Sequence, residues 1–323
     1  MPDHEKKILI EVNNLHKEFP IKGSKKKVHA VSGVSFFVYQ GETLALVGES
    51  GCGKSTLGRS VIGLLEADRG AVFYRGKNIA GLKGEERLAV RKQMQIIFQD
   101  PYASLNPRMN IKNIIAEPII THHKGLEEKE LKERVLELMR QVGISPEFLN
   151  RYPHQFSGGQ RQRIGIARAI ALRPELIVCD EPVSALDVSI QSQILNLLKD
   201  IQKEYGQAYL FISHDLSAVH FIADRVCVMF LGRICEIGDT ESIYRRPKHP
   251  YTKLLLDSIP KPDPKCRNLD QIEAAGEMPS PIAPPSGCRF HTRCRYATEL
   301  CRREEPQMRE IDGRQLACHY PLP

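Results

Sequence analysis

The chain has no unbroken apolar run of the roughly eighteen residues that a membrane-spanning helix requires, so no segment is expected to cross a bilayer. Its first residues, Met1-Pro2-Asp3-His4-Glu5-Lys6-Lys7, lack the apolar core of a secretion signal, and cytosolic residence is the expectation. No internal repeat is apparent. Close Cys-x₂₋₄-Cys pairs, the usual ligand spacing of structural zinc, are also missing, although the chain holds nine cysteines. At 323 residues it can bury a full core and is long enough for two domains. Hydrophobic content of 41% and charged content of 26% are those of an ordinary soluble protein. The net charge of +7 is modest for this size, and a solvated basic surface accounts for it as well as an anionic partner does.

What is present starts with Gly48-Glu49-Ser50-Gly51-Cys52-Gly53-Lys54-Ser55-Thr56, set between the apolar run Thr43–Val47 and a helix-like segment from Leu57 to Leu65. Strand, Gly-rich loop and helix in that order turn backbone N–H groups toward a phosphate, and the helix start favours anionic oxygens. Lys54 supplies a point charge for the β/γ-phosphates, and the Ser55 hydroxyl suits Mg²⁺. Cys52 has no phosphate role that its chemistry requires.

Along the chain, short strands lead to this loop and resume around Ala71–Tyr74 and Met94–Phe98. A helical stretch follows over about residues 101–171. Within it Leu131, Val135, Leu138 and Met139 recur at helical spacing. Strand–helix alternation then returns: Leu176–Cys179, Ile190–Glu204, Ala208–Ser213, Leu216–Ala223, Val226–Phe230. The fold class is α/β, with a P-loop ATPase core, an inserted helical subdomain and a small C-terminal extension rich in proline and cysteine. The expected boundaries are 1–256 for the ATPase domain and 257–323 for the extension.

Leu176-Ile177-Val178-Cys179 runs into Asp180-Glu181, a buried strand ending in two carboxylates. After a phosphate loop, Asp180 is expected in the Mg²⁺ shell and Glu181 is expected to polarise the attacking water. Gln99 closes the strand Met94–Phe98, within reach of Mg²⁺ or that water. His214 ends the strand Ala208–Ser213, where a side chain touches a γ-phosphate. The segment Phe156-Ser157-Gly158-Gly159-Gln160 opens the helix-like Ile164–Leu172. Ser157 caps it, and the glycines let a phosphate approach the backbone. This is a second anion-binding helix start in a chain with one phosphate loop. Two chains placed head to tail would bury each ATP between one loop and the other's Ser157.

In these motifs, taken in order and spacing over residues 8–245, the chain resembles the ATP-binding subunits of ABC transporters. Gly48–Thr56 matches the Walker A motif, Gln99 the Q-loop, and Ser157-Gly158-Gly159-Gln160 the family signature. Leu176–Glu181 matches Walker B, Ser184-Ala185-Leu186-Asp187 the D-loop, and His214 the switch histidine. Phe19 is the candidate for the aromatic that stacks on adenine. The chain lacks fused membrane helices, a second cassette and a long coiled coil, which leaves a free-standing cassette as in importers.

Further segments resemble the second ATPase subunit of bacterial dipeptide and oligopeptide importers. They are Leu57-Gly58-Arg59, Asp100–Arg108, Arg151-Tyr152-Pro153-His154, Lys248–Leu255, and the tail with Gly287-Cys288-Arg289-Phe290 and Arg293-Cys294. The resemblance implies ATP and Mg²⁺ as ligands, a second and different ATPase subunit, two membrane permease subunits and an extracytoplasmic binding protein. It implies residence at the cytoplasmic face of the membrane. Relatives of this architecture also import nickel chelates, glutathione and sugars. An alternative, a soluble ATPase acting on nucleic acid, has only the positive charge behind it.

Ten of the 21 prolines lie in residues 257–323, and a stretch so composed has little with which to build its own core. Cys288, Cys294, Cys301 and Cys318 fall there too, and in a reducing compartment such a cluster suggests metal rather than disulfides. They suit a Cys₄ site, with a mixed zinc site using His291 or His319, or free thiols, as alternatives. The subfamily resemblance favours a 4Fe–4S cluster that staples the tail and stands apart from ATP binding. Cys266 falls outside this spacing.

Overall fold

A computed structural model describes residues 7–123, 125–259 and 277–323; Cys266 lies outside them. The chain begins with two long strands, β1 (Ile8–Pro20) and β2 (Lys27–Tyr39), followed by β3 (Thr43–Val47) and helix α1 (Lys54–Val61). Next come β4 (Arg69–Tyr74), β5 (Lys77–Asn78), α2 (Gly84–Gln93) and β6 (Met94–Ile97). Helices α3 (Ile111–His122), α4 (Glu128–Gln141) and α5 (Gly158–Ile170) form the insertion. The alternating part is β7 (Leu176–Asp180), α6 (Val188–Tyr205), β8 (Ala208–Ser213), α7 (Leu216–Ile222) and β9 (Arg225–Phe230). It closes with β10 (Arg233–Asp239), α8 (Thr240–Arg245) and α9 (Pro250–Asp257); the tail adds α10 (Glu299–Arg303), β11 (Arg309–Ile311) and β12 (Arg314–Leu316).

Two sheets result. The smaller has the order β2-β1-β4-β5 and is antiparallel. The larger has the order β11-β12-β10-β9-β3-β8-β7-β6, and its strands β9, β3, β8, β7 and β6 are parallel. Every residue of β3, β7 and β8 is buried, which is why these strands read as unbroken apolar runs instead of alternating ones. Leu44 and Leu46 face the core shared with the small sheet, while Ala45 and Val47 face the core shared with the helical insertion. Helix α1 lies in the first of these layers through Leu57 and Val61. A Cβ at Gly58 would sit 2.6 Å from Ile212 Cδ1, so the glycine of Leu57-Gly58-Arg59 sets how closely α1 approaches the sheet.

Val135 and Met139 of α4 are buried, as their helical spacing predicts. The helix expected over Leu57–Leu65 ends earlier, at Val61.

The tail joins the main sheet. Strand β12 pairs with β10, with Glu236 opposite Leu316 and Ile237 opposite Gln315. Glu236 is fully buried and accepts from Arg314 Nη1 (3.1 Å) and from the backbone N–H of Lys248 and His249 (3.0 Å each). Removing one partner of such a buried pair costs about 3–5 kcal/mol, because the remaining charge is left uncompensated. In the tail, the Pro281 carbonyl accepts from the backbone N–H of His29 of β2. A proline-rich segment that cannot build a core here uses the edge of an existing one.

His249 is fully buried, and burial pushes its pKa down to about 3 from the ordinary 6.5. The neutral ring caps α9, its Nδ1 accepting from Tyr251 N at 3.0 Å. Between these two values the unfolded chain binds a proton that the folded chain refuses, so stability falls as pH drops below 6.5. Chemical denaturation at stepped pH should show up to about 1.4 kcal/mol lost per pH unit from this group. His249→Gln should flatten that slope.

Candidate active site

The parallel strands deliver the site from their carboxyl ends, where open α/β sheets bind ligands. From β3 the chain enters the phosphate loop. Gly48 has φ 150° and Gly53 has φ 105°; Cβ atoms there would lie 2.1 Å from Met229 O and 2.0 Å from Ala30 O. The loop is pressed between β9 and β2 and admits no side chain at either position. Lys54 is buried, with Nζ donating to the carbonyls of Gly48 (2.7 Å) and Glu49 (3.0 Å). Cys52 is buried under the loop and burial raises its pKa, so it stays a thiol. Ser50 and Gly51 are exposed at the tip, and Thr56 is half-buried in α1.

Ser55 Oγ donates to Asp180 Oδ1 at 2.6 Å, and Asp180 is fully buried at the end of β7. A hydroxyl beside a carboxylate is the hard oxygen donor set that Mg²⁺ takes. Arg59 Nη2 holds the other oxygen of Asp180 at 3.2 Å. Glu181, next in the chain, has φ 48°, a left-handed conformation that a non-glycine residue keeps only when its surroundings enforce it. Its backbone N–H donates to Ile212 O on β8. Gln99 Nε2 donates to Glu181 Oε2 at 2.8 Å, and His214 Nδ1 stands 3.3 Å from Oε1. Residues from the ends of β6, β7 and β8 thus meet on one carboxylate.

Ser157 caps α5 reciprocally: its Oγ accepts from Gln160 N (3.3 Å), and Gln160 Oε1 accepts from Ser157 N (3.0 Å). Ser157 and Asp187, which precedes α6, are both exposed, and Val188 beside Asp187 is 78% exposed. Gly158 and Gly159 form the first turn of α5. Phe19 is half-buried on β1 opposite Val28, with Lys17 Nζ 5.5 Å from its ring centre.

Cys288, Cys294, Cys301 and Cys318 line one cavity with His249, His291 and His319. Cys288 N donates to Cys301 O at 2.8 Å, which ties the loop of the first cysteine to the helix of the third. Burial pushes the thiols of Cys288 and Cys318 up to about 11. None of the eight described cysteines is in a disulfide. Among the described residues no three His, Cys, Asp or Glu side chains are grouped closely enough to hold a metal ion.

A family model described as "ABC transporter" matches residues 31–184, and one described as "Oligopeptide/dipeptide transporter, C-terminal region" matches residues 235–301. The oligopeptide transport ATP-binding protein OppF of Haemophilus influenzae is 52% identical over 311 residues, covering 94% of each chain. OppF of Escherichia coli is 50% identical over 321 residues, covering 97% of this chain and 96% of its own. The chain belongs to the ATP-binding subunits of the oligopeptide/dipeptide ABC transporters. A solved structure of an ATP-binding cassette dimer in a post-hydrolysis state bound to ADP and Pi has a TM-score of 0.66 and 27% identity, covering 72% of this chain and 99% of that one.

As an ABC ATPase subunit the chain binds ATP and hydrolyses it. No helix among the described residues is long and apolar enough to cross a membrane. Three contacts to the ATPase motifs escape sequence reading. Arg59 on Asp180 is one; the others, Tyr251 and Arg293, reach Glu49 of the phosphate loop. All three stand inside segments that carry the family resemblance, but nothing in the sequence says what they touch.

Proposed function

We propose that this chain energises import of dipeptides or oligopeptides through a membrane ABC transporter. The observation that supports the peptide reading most is the match of residues 235–301 to the oligopeptide/dipeptide transporter C-terminal region, while the convergence of Gln99 and His214 on Glu181 beside the Ser55–Asp180 pair supports the ATPase half. In this reading Lys54 leaves its loop carbonyls for the β/γ-phosphates, and the loop N–H groups between Ser50 and Thr56 cradle the remaining oxygens. Ser55, Asp180 and Gln99 hold Mg²⁺, whose chemistry is to neutralise phosphate charge. Glu181 takes a proton from the attacking water, and His214 braces the γ-phosphate. Phe19 stacks on adenine from the strand paired with β2, whose Ala30 backs Gly53.

Each site is completed by a second cassette, a different chain, set head to tail. The exposed Ser157 and Asp187, with the half-buried Gly158, Gly159 and Gln160, of one face the ATP of the other. Closure moves the helical insertion of about residues 101–171, and the loop Gln99–Pro107 relays that motion to two permease subunits at the cytoplasmic face. A binding protein outside the membrane presents the peptide. We assign residues 1–256 to the ATPase domain and 257–323 to the extension. There Cys288, Cys294, Cys301 and Cys318 hold a 4Fe–4S cluster that fastens the tail.

The test is co-purification with the membrane subunits, followed by ATPase assay of the reconstituted assembly. A rise in turnover with peptide-loaded binding protein is expected. Stimulation by DNA or RNA instead, with no membrane partner retained, would overturn the reading. Stimulation by a nickel chelate, glutathione or a sugar alone would overturn the peptide assignment.

A further inference from the structure

Glu49 is held from three directions. Lys54 takes its carbonyl at 3.0 Å, Tyr251 Oη accepts from its backbone N–H at 2.9 Å, and Arg293 Nη1 donates to its carboxylate at 2.7 Å. Only the first of these comes from the loop itself. Tyr251 belongs to α9, and Arg293 belongs to the tail, one residue before Cys294.

Both outside groups are fixed in place. Tyr251 is fully buried, its ring 4.7 Å from Phe230 and 5.2 Å from Phe290. Phe230 and Phe290 meet edge to face at 5.3 Å, so strand β9, helix α9 and the tail share one aromatic cluster. The Arg293 side chain is only 6% exposed and Glu49 is its ion-pair partner. Its Nε has no acceptor among the described residues, so Glu49 is the anion this buried cation depends on. The rim of the cluster thus presents a hydroxyl and a guanidinium to the first turn of the phosphate loop.

We propose that Arg293 and Tyr251 are positioning residues of the nucleotide site, through which the C-terminal extension sets the phosphate loop by way of Glu49. The inference rests on the assignment of Gly48–Thr56 as that site. Two physical effects act together. Tyr251 ties down the backbone where the chain leaves β3, so the following N–H groups start from a fixed direction. Arg293 turns the Glu49 carboxylate away and cancels a negative charge beside a site that must accept a triphosphate. The tail is therefore part of the ATP site, in contrast to the separation of roles that the sequence suggests.

The experiment is calorimetric titration of the full-length chain with MgATP. Arg293→Gln is expected to weaken binding by about three- to tenfold, in the lower part of the range of coupling between directly contacting groups. Adding Glu49→Gln to that variant is expected to restore the affinity to within about twofold, because the uncompensated charge is gone. A merely structural arginine gives no such rescue. Tyr251→Phe keeps the buried ring and removes only the hydroxyl, and it should also weaken MgATP; it decides the matter if Arg293→Gln does not fold. Wild-type affinity in the folded variants, or an Arg293→Gln defect that Glu49→Gln leaves in place, would overturn the proposal. Lys54→Ala serves as the control. Loss of MgATP there beside an unaffected Arg293→Gln removes only this inference, whereas retained binding in Lys54→Ala removes the nucleotide-site assignment itself.

Discussion

Glu181→Gln is expected to bind MgATP as the unaltered chain does and to release phosphate about 10²–10⁴-fold more slowly, the usual worth of a positioned general base. Gln keeps the shape of Glu and one of its carbonyl oxygens, but it cannot accept the proton of the attacking water. Lys54, Ser55 and Asp180, which meet the phosphates and Mg²⁺ in our assignment, are untouched by the change. Gln99 and His214 contact Glu181 from two sides, so the carboxylate is held and oriented by its neighbours. The left-handed backbone at Glu181, φ 48°, aims it there at some conformational cost, as strained residues at active sites do. With the γ-phosphate retained, two cassettes should stay closed, and ATP-dependent dimers should appear by size-exclusion chromatography. Turnover at the unaltered rate would refute the assigned role.

Protein purified without oxygen should contain about four iron and about four acid-labile sulfide per chain, and Cys294→Ser should lose them. The physical ground is the cavity that Cys288, Cys294, Cys301 and Cys318 share. Thiols whose pKa burial has raised to about 11 are protonated at neutral pH and poor nucleophiles. A metal centre would replace those protons, so assembly should release protons and weaken on acidification. The tail is already fastened by β12 on β10 and by Arg314 on Glu236, and loss of the centre should loosen it without unfolding the sheet. Zinc in place of iron, or no metal in the anaerobic protein, would refute the cluster.

Much of this molecule is legible along the chain because its determinants are local. A loop that lies against the backbones of Met229 and Ala30 tolerates only glycine at Gly48 and Gly53, so a phosphate loop announces itself in composition. Strands buried on both faces are apolar but for a terminal residue, which marks β3, β7 and β8 and, with them, the carboxylates and histidine at their ends. Ser157 and Gln160 cap a helix three residues apart, a spacing that sequence shows directly.

The rest was decided by folding. Gln99 and Glu181 are 82 positions apart, and Glu49 and Arg293 are 244 apart. Contacts at such separations obey no period that a chain displays, since they follow from which strand lies beside which. The sequence by itself determined that an ATPase core, a helical insertion and a cysteine-bearing tail exist. Tertiary structure alone decided that the tail completes the large sheet and that its buried arginine reaches the phosphate loop. An aromatic cluster and an ion pair have to be brought together in space before they can act on a distant turn.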